Sequence, residues 1–170
     1  HGLPDLSIRA LAVDGRERVW AGTDHGVACI DGNRIRVWTT RQGLANNFCR
    51  SILVDRRGRI WVGTAGGISV LDGDAVRNLT GADGIPAGEI FGLREDLDGT
   101  VWAGGAGGLM RIVAGEIRLF TEADGLPVRN TNKILWDEDN GCYWIGTWGG
   151  GLVKYDGRTF KAYGVDNGMS

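Results

Sequence analysis

The sequence predicts an all-β fold made of four repeated units, on three observations. Glycine supplies 30 of the 170 residues. Each one in a helix interior costs roughly 1 kcal/mol relative to alanine, so no stretch supports a long amphipathic helix. Trp20, Trp61, Trp102 and Trp144 follow one another at 41, 41 and 42 residues, and Asp14, Asp55, Asp96 and Asp137 at 41 each time. Between these markers, short runs rich in β-branched and aromatic residues alternate with glycine turns, which is the pattern of hairpins.

Each unit reads as four strands. The first ends at the aspartate, as in Ile8–Asp14 and Arg50–Asp55, and a polar turn such as Asp55-Arg-Arg-Gly-Arg59 follows. The second carries the tryptophan (Ile60–Thr64), the third follows a glycine turn (Gly67–Asp72), and the fourth follows a second tight turn (Ile35–Thr39 after Asp31-Gly-Asn33). Gly-Leu type pairs (Gly2-Leu3, Gly43-Leu44, Gly84-Ile85, Gly125-Leu126 and Gly168-Met169) keep the same beat between units. Four antiparallel strands in about 41 residues is the size of one β-propeller blade. A lone four-stranded sheet cannot bury its faces, so it must pack on its neighbours. The expected architecture is therefore a β-propeller segment of four blades, at about residues 1–42, 43–83, 84–124 and 125–170. The recurrent tryptophan is assigned to packing between blades. The recurrent aspartate is assigned to its turn, hydrogen-bonding the backbone two residues on. With no spare strand to fasten the last blade to the first, the four blades are expected to form an arc of a larger ring, or a half-ring paired with a second copy. A closed four-bladed ring is the competing arrangement.

Composition narrows the function classes. Lys and Arg number 19 against 21 Asp and Glu, which leaves no basic excess to neutralise a phosphate backbone and disfavours nucleic acid. No apolar run is long enough to span a bilayer. Cys29, Cys49 and Cys142 are odd in number and show no Cys-x-x-Cys spacing, and are read as free thiols. The serines lack the Gly-x-Ser-x-Gly context of a hydrolase nucleophile, and His1 and His25 have no carboxylate partner by motif. Two acidic turns, Glu95-Asp-Leu-Asp-Gly99 and Asp137-Glu-Asp-Asn-Gly141, start like calcium loops. Both lack the glutamate at position twelve and coincide with the hairpin turn of every unit. No catalytic set, metal site or cofactor is assigned.

The segment Ile145-Gly-Thr-Trp-Gly-Gly-Gly-Leu-Val-Lys-Tyr-Asp156, followed by Phe160, Tyr163 and Asp166-Asn-Gly-Met169, resembles the two-component regulator propeller repeat. Gly58-Arg-Ile-Trp-Val-Gly-Thr-Ala-Gly-Gly-Ile68 fits the same pattern, with departures at His25 and Gly105. The resemblance implies a ring of about seven blades and a periplasmic or extracellular position in a bacterial membrane receptor ahead of a kinase or cyclase. It also implies a non-enzymatic sensing role with an oligosaccharide or other small polar ligand. The alternatives are a streptogramin-lyase-like enzyme, whose catalytic histidine would be His25, and a protein-binding scaffold.

Candidate contacts are the residues that break the repeat on the face carrying the entry loops and the turns between second and third strands. Trp148 stands where other units have Asp24, Ala65 and Ala106, flanked by glycine and therefore expected to face solvent and stack on a ligand. His25 lies in the matching turn of the first unit. Asn47, Glu89, Arg129 and Asn130, in the entry loops, could hydrogen-bond hydroxyls or carboxylates.

Overall fold

The computed structural model describes residues 2–164. The closing Asp166–Met169 motif, the Gly168-Met169 pair, His1 and Ser170 lie outside them. Four separate four-stranded antiparallel sheets follow one another along the chain. Their strands are β1 (Ile8–Val13), β2 (Val19–Thr23), β3 (Gly26–Asp31) and β4 (Arg34–Trp38); β5 (Cys49–Val54), β6 (Ile60–Thr64), β7 (Gly67–Asp72) and β8 (Ala75–Leu79); β9 (Ile90–Glu95), β10 (Val101–Gly105), β11 (Gly108–Val113) and β12 (Glu116–Phe120); and β13 (Thr131–Asp137), β14 (Cys142–Thr147), β15 (Leu152–Tyr155) and β16 (Phe160–Tyr163). Each quoted strand lies within one residue of its expected bounds. β1, β5, β9 and β13 pack successively against one another, so each sheet's first strand lines the inside of an arc.

The tryptophans fill the spaces between blades. Trp20, Trp61 and Trp102 are 3%, 6% and 3% exposed. Trp20 and Trp38 of the first blade pack with Cys49, Ile60 and Leu71 of the second, and Trp61 and Ile68 pack with Ile90 and Val101 of the third. Trp102 and Phe120 in turn meet Ile145 and Tyr155 of the fourth. Each aspartate secures the indole beside it. Asp14 Oδ2 accepts from Trp20 Nε1 at 2.9 Å, and Asp55, Asp96 and Asp137 do the same for Trp61, Trp102 and Trp144 at 2.9, 2.8 and 3.0 Å. The backbone bond two residues on is present at Asp14 and Asp55. Asp137 accepts from Asn140 N instead, and Asp96 spends its carboxylate on Trp102 and the Tyr143 hydroxyl. The expected turn role holds at Asp14 and Asp55, and in addition the second oxygen satisfies a buried indole donor that would otherwise be costly.

Single 3₁₀ turns (Thr40–Gln42, Gly81–Asp83, Glu122–Asp124) link the blades, each with a capping box from a threonine and the residue three further on. Gly43, Gly84 and Gly125 end them at φ of 102°, 95° and 97°, a left-handed conformation that favours glycine. The chain thus reverses to bury Leu44, Ile85 and Leu126. Gly92 has a different reason: a Cβ there would collide with the Asn132 carbonyl, so its absence lets β9 and β13 approach. All three cysteines are buried and unpaired, and burial pushes the Cys49 thiol up to about 12. The arc is open. Leu11 and Val13 on the first blade and Leu135 on the fourth are 67%, 63% and 60% exposed at positions that are covered inside the arc, which overturns the closed four-bladed ring.

Candidate functional site

The entry loops and the turns between second and third strands lie at the same end of the sheets, because β1 pairs Ile8 with Thr23 and β5 pairs Cys49 with Thr64. On this rim Trp148 is 57% exposed and stacks on Phe91, with ring centroids 5.0 Å apart and planes at 27°. Its backbone N–H donates to the Asn130 carbonyl at 2.9 Å, which fixes the turn against the entry loop. The indole is held from one side and open on the other.

Next to this platform the rim is charged. Arg50 Nε donates to Glu89 Oε2 at 2.6 Å across the second and third blades, and the Arg50 guanidinium lies over the Phe48 ring. Arg9 forms a two-point pair with Asp24, at 2.7 Å for each bond. Hydrogen bonding to Arg9, foremost among the causes, holds the Asp24 carboxyl below its ordinary value. Below the rim, Arg9, Leu11, Ile52, Leu93, Lys133 and Ile134 from all four inner strands line a groove of about 290 Å³. Lys133 Nζ reaches across it to the Phe91 carbonyl at 2.9 Å.

Of the residues singled out from sequence, the structure brings Trp148 and Asn130 together and places Glu89 in a blade-to-blade ion pair. The Asn130 side-chain oxygen is buried without a hydrogen-bond partner. Arg129 turns back on Glu122 within its own loop at 2.6 Å. Asn47 closes its loop by accepting from Thr40 N at 2.7 Å. His25 does have a carboxylate partner, contrary to the motif reading: Nδ1 lies 2.6 Å from Asp5 Oδ2, and the side chain is 68% exposed. The two residues lie 20 apart, and only the fold joins them.

Phe91 and Arg50 escaped sequence reasoning. They share one inner-strand position with Arg9 and Asn132, and comparing the units there would have exposed a position that varies between arginine, phenylalanine and asparagine. A second set of departures lies at the opposite end of the third interface. Arg94, Trp136 and Tyr143 stand where other units carry mostly aliphatic residues, and with Leu97 and Asp98 they line a cavity of about 230 Å³. Trp136 and Tyr143 pack with centroids 4.7 Å apart, and the Tyr143 hydroxyl donates to Asp96. Burial and that bond raise the Tyr143 phenol above its ordinary value.

Residues 43–66 match the family model described as two component regulator propeller. No curated protein sequence matches the chain. Among solved structures it is similar to the extracellular domain of a hybrid two component system from B. thetaiotaomicron, with TM-score 0.84 and 22% identity over 99% of this chain and 24% of that one. It is also similar to the extracellular domain of a one component system from the same organism, with TM-score 0.79 and 18% identity over 94% of this chain and 25% of that one. The virginiamycin B lyase of Staphylococcus aureus gives 0.72 and 16% identity, over 92% of this chain and 55% of the lyase. The chain thus spans about a quarter of the length of the first two and about half of the third. At these identities the likeness establishes the β-propeller fold. Residues 43–66 match the two-component regulator propeller repeat, and the chain builds four sheets of the same four-stranded kind.

Proposed function

We propose that this chain is a non-enzymatic, ligand-sensing segment of an extracytoplasmic propeller in a bacterial signal-transduction receptor. Its ligand is an oligosaccharide or a similarly polar small molecule, bound on the rim that carries Trp148. The observation that carries the reading is the Trp148–Phe91 platform. Four blades agree in their cores, yet here two of them contribute aromatic rings found at no equivalent position elsewhere, with one face open to solvent. An exposed indole face suits the apolar face of a sugar ring, and the Arg50–Glu89 pair beside it offers both donors and acceptors to hydroxyls. The similarity to extracellular domains of two-component and one-component systems supports the receptor setting. Among the described residues, no helix is long and apolar enough to cross a membrane. Ligand would act by favouring one of two receptor arrangements, which requires different affinity for each.

Calorimetry against an oligosaccharide panel tests this, with Trp148→Ala alongside. Binding that weakens at least tenfold in the variant is the expected result. No binding to any glycan, or binding indifferent to Trp148, would overturn the reading. The lyase likeness and the His25–Asp5 pair make one control necessary. Streptogramin turnover in the presence of magnesium that disappears in His25→Ala would replace the sensor with an enzyme.

A further inference from the structure

The first two blade interfaces each carry a cleft at the end of the sheets away from the Trp148 rim. The first, of about 390 Å³, includes Arg18, Trp20, Arg36 and Asp74. The second, of about 440 Å³, includes Arg59, Trp61, Arg77 and Gly115 at the matching positions, with Arg57 beside them. Both are lined by three arginines and two acids, so what separates them is how the charges are met. In the first, Arg36 Nη2 lies 2.6 Å from Asp74 Oδ1, and its guanidinium sits over the Trp38 ring, 4.6 Å from the centroid. In the second, Gly115 stands in place of the aspartate and Leu79 in place of the tryptophan. A Cβ at Gly115 would lie 3.5 Å from Arg77 Nη2, so the guanidinium stands over the spot from which an acidic side chain would reach it. Glu95 and Asp98 do not fill that role: their oxygens accept from the backbone N–H groups of Arg56 and Thr100 at 2.8 and 2.9 Å. Among the described residues, no carboxylate forms an ion pair with Arg57 or Arg77.

The turn that walls the second cleft departs from the repeat three times running. Other blades carry Asp31-Gly-Asn33, Asp72-Gly-Asp74 and Asp156-Gly-Arg158 there, and the third carries Val113-Ala-Gly115. Val113 is 39% exposed. Ala114 holds φ 51°, where Gly32 and Gly73 hold 55° and 59°. A methyl group at a left-handed position is uncommon and costs energy. Here it adds apolar surface to a wall that has lost both of its acids.

We propose that the second cleft binds a small organic anion with an apolar body, its carboxylate on Arg77 and Arg57 and its apolar part against Val113 and Ala114. The first cleft argues for the carboxylate, since there the chain itself supplies one to the equivalent arginine. A guanidinium fork suits that group, and the volume is that of a small-molecule site. The site uses nothing on the Trp148 rim and is independent of it.

Benzoate is the probe and benzamide its uncharged counterpart. Each is titrated into the isotopically labelled chain at constant ionic strength, with chloride exchanged for benzoate, and the backbone N–H signals are followed by NMR. Benzoate should give saturable shifts at Arg77, Ala114 and Gly115, and benzamide should bind about tenfold more weakly. Arg77→Gln should weaken benzoate about tenfold, whereas Arg36→Gln, at the arginine already paired with Asp74, should change it less than about twofold. Val113→Asp restores the residue that the three other blades carry, so it keeps the fold and should also weaken benzoate, by setting a like charge beside it. Shifts that do not saturate, that follow benzamide equally, or that spread over the arginines of both clefts would overturn the proposal. So would binding indifferent to either Arg77→Gln or Val113→Asp in variants whose circular dichroism matches wild type. Trp148→Ala should leave benzoate binding unchanged, and a loss there would move the anion to the rim.

Discussion

Trp61 and Trp148 are both indoles beside glycine turns, and they have opposite fates. Trp61 is 6% exposed, bonded through Nε1 to Asp55 and covered by the third blade. Trp148 is 57% exposed and touches one other ring, Phe91. The first belongs to a set of four that keeps its place because every blade must bury its face on the next. The second stands alone, in a turn that three other blades fill with small or acidic residues. In a repeat protein, what recurs serves the stacking of units, and what does not recur is free to serve something else.

Removing a recurrent member should break this contrast most strongly. Trp61→Ala opens a cavity between blades and leaves Asp55 buried without its indole donor, so a loss of about 3–5 kcal/mol is expected. Trp144→Ala, at the same position in the fourth blade, removes an indole that is only half-buried in this 170-residue chain and should cost it less than half as much. Urea denaturation of the two variants beside wild type makes the measurement. Equal losses would mean that the tryptophan contributes through its own sheet rather than through the neighbouring blade.

The aspartates offer a second test. Asp14 and Asp55 are 7% and 4% exposed. Burial pushes their carboxyls up, but the indole N–H of Trp20 or Trp61 and the backbone and guanidinium of Arg18 or Arg59 outweigh it and hold both below the ordinary carboxylate range. A depressed folded value means that the unfolded chain takes up protons first. The stability they contribute is therefore complete above the unfolded value of about 3.9 and is lost as pH falls through the folded values. The urea midpoint should stay level between about pH 5 and 7 and drop below about pH 4. Asp55→Asn keeps an acceptor for Trp61 but loses the charge-assisted bonds to Arg59. It should cost about 1–3 kcal/mol at neutral pH and flatten the acid limb.

How much was legible follows the same division. Strand bounds, turns and the packing role of tryptophan could be read because four copies vote on each position, and glycine spacing marks every reversal. The second role of the aspartates was hidden, since nothing in sequence says that Asp55 Oδ2 faces an indole six residues on. The 3₁₀ turns were missed for a related reason: Thr39 and Gln42 look like ordinary loop residues until the capping box is seen. The rim resisted most. Trp148 stood out as a departure, but its contact with Phe91 and the His25–Asp5 pair join residues 57 and 20 positions apart. Such contacts are set by how blades fan around the arc, a property of the assembled sheets rather than of any one repeat.

A smaller effect is expected in the backbone. Gly67 sits at φ 124°, with the Leu79 carbonyl against the place a Cβ would take. Gly67→Ala therefore meets both strain and a clash, and should lose about 1–3 kcal/mol. Gly58, also at positive φ but with open space around it, pays only the conformational part, so Gly58→Ala should lose about 1 kcal/mol. Thermal unfolding of the pair separates close approach from backbone conformation.

The smallest change in stability is expected at Trp148, and it matters because it is small. The indole is more than half exposed and its turn is held by a backbone bond to Asn130, which alanine keeps. What is lost is one offset ring contact with Phe91, on the order of 0.5–1.5 kcal/mol at most. Phe91→Ala should cost slightly more, because it also exposes the β9 backbone carbonyl that Lys133 reaches. A double variant losing less than the sum of the two would measure the stacking itself. If Trp148→Ala instead destabilises as strongly as Trp61→Ala, the platform is part of the framework. A ligand role for the rim would then have lost its main physical support, since the ring would have been kept for packing.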